Sequence, residues 1–145
     1  MKQDPLIREA KYMSVIERNE HGAIAVNKGV IERLIIEELL EMKDDLILCT
    51  KKGKPIKDKP SSFIDPDYYD ALELSEKKQA FKVKLYIIVV FGKSVSGIAD
   101  EVFSRVESIF EILRLPGPAM ITVKIKGVMS DQLVKRNIEV IRRNA

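Results

Sequence analysis

FKVKLYIIVVFGKSVSGIADEVFSRVESIFEILRLPGPAMITVKIKG, residues 81–127, decides the fold. It opens with apolar–polar alternation, Phe81, Val83 and Leu85 against Lys82, Lys84 and Tyr86, and then runs continuously apolar to Val90. That pattern predicts a strand entering the interior of a sheet. Phe91-Gly92-Lys93 turns the chain, and Ser94 is placed to cap a helix. Val95, Ile98, Ala99, Val102, Val106, Ile109, Phe110 and Leu113 then recur at steps of three and four, with Asp100, Glu101, Arg105, Glu107 and Glu111 on the other faces. A long amphipathic helix packed on a sheet follows, stopped by Pro116-Gly117-Pro118. From Ala119 to Lys126 alternation resumes, with Ile121, Val123 and Ile125 on one side of a strand that closes at Gly127.

Outward from this stretch, the same plan recurs upstream. Gly22–Val26 is strand-like, Asn27-Lys28-Gly29 turns, and Ile31, Leu34, Ile35, Leu39 and Met42 mark a helical face between Val30 and about Lys43. Asp44-Asp45 ends that helix, and Leu46–Thr50 reads as a short buried strand. Tyr12–Arg18 and Gly22–Val26, separated by Asn19-Glu20-His21, read as a hairpin. The expected fold is therefore α/β (α+β): two strand–helix–strand units forming one small sheet, with helices packed on one face.

The remaining segments are less regular. Three prolines, at 55, 60 and 66, and the run KKGKPIKDKP predict a loop insertion over about 51–80. A short helix is expected within it from Tyr68 to Ala80, with Asp67 as its cap. Leu133, Val134, Ile138 and Ile141, flanked by Lys135, Arg136, Arg142 and Arg143, predict a C-terminal amphipathic helix over about 130–143.

The composition narrows the chemistry. With 145 residues, 46% apolar and 32% charged, the chain has one domain's length and an ordinary globular balance. No apolar run approaches the roughly 20 residues needed to span a bilayer, and MKQDPLIREAK lacks the basic-then-apolar layout of a signal peptide. A cytoplasmic protein without direct membrane insertion is expected. One cysteine, Cys49, and one histidine, His21, leave no internal disulfide and no metal-ligating set within one chain. Cys49 in LILC is expected as buried core, and His21 as an exposed turn residue. Gly92-Lys93-Ser94 lacks the earlier glycine that a phosphate-binding loop requires, since Ile87 holds that position. The carboxylate pairs Asp44-Asp45 and Asp65-Pro66-Asp67 come with no accompanying base or ligand. No catalytic, cofactor-binding or metal-binding residue is assigned. The strongest charge feature is Lys51, Lys52, Lys54, Lys57 and Lys59, a candidate contact for an anionic partner such as nucleic acid. The net charge of +3 is compatible with that contact without requiring it.

VKLYIIVVFGKSVSGIADEVFSRVESIFEILRL followed by ITVKIKGV resembles the alkaline shock protein family of Gram-positive bacteria, also called envelope stress response proteins. The shared features are a strand ending in an aromatic-Gly turn (Phe91-Gly92), Ala99-Asp100-Glu101-Val102 within the helix, and a closing strand ending in Gly127-Val128. GAIAVNKGVIERLI resembles the family's first half. Lys43-Asp44-Asp45-Leu46 stands where the family has a Gly-Val entry to the next strand, and the Lys- and Pro-rich segment is this chain's own. The resemblance implies residues 1–145 as a single domain of that type. It further implies a non-enzymatic scaffold or interaction protein of envelope stress or homeostasis. Its partners would be a protein, such as a membrane-anchoring one that holds it peripherally at the membrane, or further copies of itself.

Overall fold

Helix formation starts at two side-chain caps. A computed structural model describes residues 16–18, 24–56, 66–78 and 80–144. The Asn27 Oδ1 accepts the Gly29 N–H at 2.8 Å and opens helix α1, Lys28–Leu40. The Ser94 Oγ accepts the Gly97 N–H at 3.1 Å and opens helix α2, Val95–Ile112, in the capping role expected of it. Ahead of α1, strands β1 (Ile16–Arg18) and β2 (Ile24–Val26) pair antiparallel. These are the described parts of the expected hairpin; its remaining residues, His21 included, lie outside the described ones.

Two helices and a five-stranded mixed sheet make up the α/β fold. The sheet's long strands are β5 (Ala80–Val90), β6 (Met120–Met129) and β7 (Leu133–Arg143), and β3 (Leu46–Leu48) and β4 (Leu72–Lys77) are short. β5 and β6 run parallel, which requires a crossover, and α2 supplies it. β4 pairs with the first half of β5 and β3 with its last turn of residues, so both lie on one side of it. β6 covers the other side of β5, and β7 adds antiparallel to β6. A bulge at Lys126 interrupts both of β6's ladders.

Strand alternation sorts the side chains into two layers. Val83, Leu85, Ile87 and Val89 of β5 and Ile121, Val123 and Ile125 of β6 face the helices. There they join Ile31, Leu34, Ile35 and Leu39 of α1 and Ile98, Val102, Val106, Ile109 and Phe110 of α2. Each fully buried branched side chain of this kind contributes about 1.5–3 kcal/mol. The helical stripe read from the sequence is the buried one, with Phe103 added to it. The Phe81 and Phe110 rings meet at 5.4 Å between centroids.

Two segments differ from expectation. Residues 133–143 form strand β7, not a helix. Val134, Ile138, Val140 and Ile141 are β-branched and favour a pleated strand. The turn after Met129 also returns the chain along the otherwise open edge of β6. Within 66–78, where a loop and then a short helix were expected, the chain forms a 3-10 helix over Pro66–Ala71 and then β4. Leu72 and Leu74 alternate inward while Glu73 and Ser75 point away, a period-two signal that suits a strand.

Candidate interaction surface

β7 is the outermost strand of the five-stranded sheet, and its length makes that edge prominent. Four large hydrophobic side chains are exposed among the described residues, and Val134, Ile138 and Ile141 of β7 are three of them. The fourth is Phe91, in the turn after β5. β7's two faces follow from its register. Val134, Ile138 and Val140 oppose Val128, Ile125 and Val123 on the helix side. Leu133, Glu139 and Ile141 oppose Met129, Lys124 and Thr122 on the other. Two anchors hold the strand's C-terminal end. Arg142 donates from Nη1 to the Glu107 Oε1 at 2.7 Å and lies over the Phe103 ring at 4.8 Å. Asn144 donates its backbone N–H to the Ala119 carbonyl and its side-chain amide to that of Pro118. The outer edge thus belongs to a strand fixed from within.

The sheet face away from the helices carries a small second cluster. Cys49, Tyr86 and Ile88 are buried there, with Ile47, Met129 and Leu133 packed against them. Around it the face is basic, with Lys82 and Lys84 on β5, Lys124 on β6, and Lys126 at the bulge. The reversal at 49–56 brings three further lysines, Lys51, Lys52 and Lys54. Thr50 and Gly53 close it through the Gly53 N–H to Thr50 carbonyl bond at 2.8 Å. Gly53 sits at φ 87°, a left-handed conformation that suits glycine, and it lies against the Lys126 side chain.

Of the lysines singled out for an anionic partner, Lys51, Lys52 and Lys54 are exposed on this reversal. Lys57 and Lys59 lie outside the described residues. Lys51 forms an ion pair with Glu73. The hydrogen bond between them raises the lysine's pKa and lowers the carboxylate's. Burial raises the Tyr86 phenol, and Glu73 adds to that. Across the face, Lys124 donates to Glu139 at 2.5 Å and holds that carboxyl below its usual range. The structure therefore joins the Lys51 reversal to the lysines of the sheet, while Glu73 and Glu139 each neutralise one of them locally.

Cys49 is fully buried, as expected, and burial pushes its thiol up to about 12 despite the opposing charge of Lys126. At neutral pH it is a protonated thiol rather than a nucleophile. Gly92 is at φ 88° in an open turn, and Lys93 pairs with Asp45 at 3.3 Å, consistent with a turn in place of a phosphate cradle. An apolar recess of about 430 Å³ opens between α1 and β3, lined by Leu39, Leu46, Leu48, Ile56 and Tyr68 with Lys43 at its side. Among the described residues, that lining presents no carboxylate. Among the described residues no group of three or more His, Cys, Asp or Glu is placed to hold a metal ion. None of the described helices is long and apolar enough to cross a membrane.

The edge strand was missed from the sequence, because its apolar residues also fit a helical spacing. Its β-branched content was the available signal. Comparison with family models, with curated proteins and with solved structures finds no match to this chain.

Proposed function

We propose that this chain is a non-enzymatic scaffold or interaction protein of cell-envelope stress or homeostasis, working through protein–protein contacts. It acts in the cytoplasm, or peripherally at the membrane through an anchoring protein. The observation that supports the contact part is β7, a long sheet edge carrying three exposed β-branched side chains. An edge of that kind offers unpaired backbone groups to another strand. The envelope part rests on the resemblance of residues 83–128 to alkaline shock proteins.

The test is capture from a native lysate by the unmodified chain and by the double variant Val134→Lys/Ile138→Lys. Both positions are exposed, so thermal stability is expected to change little. Partners held by the unmodified chain and lost by the variant support the reading. Equal recovery by both, or none by either together with a strictly monomeric chain, contradicts it.

A second reading, a basic nucleic-acid-binding module, is favoured by one observation: the Lys51 reversal adjoins Lys84, Lys124 and Lys126 on one sheet face. Phosphate contacts of this kind weaken steeply with salt. Failure to bind a mixed RNA and DNA pool at low salt would end it.

A further inference from the structure

We infer that the partner of β7 is β7 of a second copy, paired antiparallel about a two-fold axis that passes beside Asn137. This rests on the proposed function and names a partner for its contact surface.

The argument is the strand's self-complementarity. Alternation keeps Leu133, Lys135, Glu139 and Ile141 on the helix-free side, and Val134, Ile138 and Val140 on the helix side. Centring the pair on Asn137 sets Lys135 opposite the partner's Glu139, Leu133 opposite the partner's Ile141, and Val134 opposite the partner's Val140. Because the axis is two-fold, each of these pairs occurs twice. Opposite charges meet on the helix-free side and apolar groups meet on both faces; the exception is Arg136, which faces the partner's Ile138.

Neighbouring registers that preserve the faces are worse. Moving the axis to Ile138 puts Lys135 against the partner's Ile141 and Val134 against the partner's Arg142. Moving it to Arg136 sets two arginines against each other and Leu133 against the partner's Glu139. The Arg136 register does set Val134 against the partner's Ile138, but only the Asn137 register pairs Lys135 with the partner's Glu139 and Leu133 with the partner's Ile141. In that register the two sheets form one continuous sheet, and Glu139 lies between Lys124 of its own chain and the partner's Lys135. A single pair of edges buries less than a standard interface, so the dimer forms reversibly with concentration.

Sedimentation of the full chain over a range of concentrations tests for a rise from 16.5 kDa toward twice that mass. The register is read by Asn137→Cys under oxidised glutathione. Directly opposed antiparallel residues have Cα atoms about 4.5–5.5 Å apart, inside the disulfide range of about 4.4–6.8 Å. That variant is expected to cross-link to itself, while Arg143→Cys, far from the axis, does not. The native Cys49 is buried and leaves the readout clean. Lys135→Glu should weaken the dimer by about tenfold, because like charges then face each other, and Lys135→Glu/Glu139→Lys should restore most of it. Circular dichroism of each variant separates loss of pairing from loss of fold.

A chain that stays monomeric without an Asn137→Cys cross-link overturns the inference. So does a dimer indifferent to both Asn137→Cys and Lys135→Glu. If no dimer forms, yet Val134→Lys/Ile138→Lys still abolishes capture of a different protein, the self-pairing is wrong and the proposed function stands.

Discussion

Leu133 packs on Gly127 so closely that a Cβ built on the glycine would lie 2.7 Å from the leucine Cδ1 and 3.0 Å from the Val134 carbonyl oxygen. This approach seats the start of β7 on β6 and leaves the strand's other side as the sheet edge. Gly127→Ala forces Leu133 out of the small cluster it shares with Met129 and Ile88. The expected cost is about 1–3 kcal/mol, typical of overpacking. Urea denaturation of Gly127→Ala, Leu133→Ala and the double variant checks it. The double should cost clearly less than the sum of the singles, since the closer of the two contacts disappears with the leucine while the approach to the Val134 carbonyl remains; simple additivity would contradict the contact.

Arg105 joins the two helices. Its Nη1 lies 3.1 Å from the Glu38 Oε2 and 3.2 Å from the Glu41 Oε2, and its Nη2 lies 3.1 Å from the Glu101 Oε1. The Glu38 side chain is only 8% exposed. Arg105→Met therefore leaves a largely buried carboxylate without its guanidinium, and should cost about 1–3 kcal/mol because the arginine itself is partly solvated. Glu41→Ala and Glu101→Ala, on exposed partners, should each stay within about 0.5 kcal/mol. Denaturant midpoints rank these variants, and equal losses for Arg105→Met and Glu41→Ala would contradict the assignment.

Cys49 makes stability depend on alkaline pH. Its folded pKa is raised, so the stability it contributes is complete below about 9, its ordinary value, and is lost as pH rises toward 12. In that window the unfolded chain releases a proton that the folded chain keeps. The loss approaches about 1.4 kcal/mol per pH unit. Cys49→Ala, though less stable at neutral pH for want of packing, should show a shallower decline above pH 9. Parallel declines for the two proteins would show that the thiol does not supply the difference.

The β5–α2–β6 unit was legible because each element shows one clean period. Val83 and Leu85 alternate, Ile98 to Leu113 step by three and four, and Ile121 to Ile125 alternate again. β7 was not legible as a strand because it carries apolar residues on both faces. Leu133 and Ile141 serve one side and Val134, Ile138 and Val140 the other, and together they imitate a helical stripe. β4 was obscured by the prolines upstream of it, although Leu72 and Leu74 alternate with Glu73 and Ser75. For the candidate surface, the exposed lysines at 51, 52 and 54 could be read from composition. The pairing of Lys51 with Glu73, and the position of β7 at a sheet edge, depend on which strands become neighbours, and no local pattern encodes that.

The central claim is that the chain makes its contacts through the outer edge of β7. Amide hydrogen exchange, resolved by segment, measures this most directly, because outward N–H groups of a free edge exchange readily and become protected when another strand pairs with them. The chain should be compared when dilute, when concentrated, and when in complex with any captured protein. The expected result is added protection over residues 133–141 in at least one of the two bound conditions, with β5 unchanged. Unaltered exchange in β7, or new protection confined to the Lys51–Lys54 reversal or to the helices, would contradict the account.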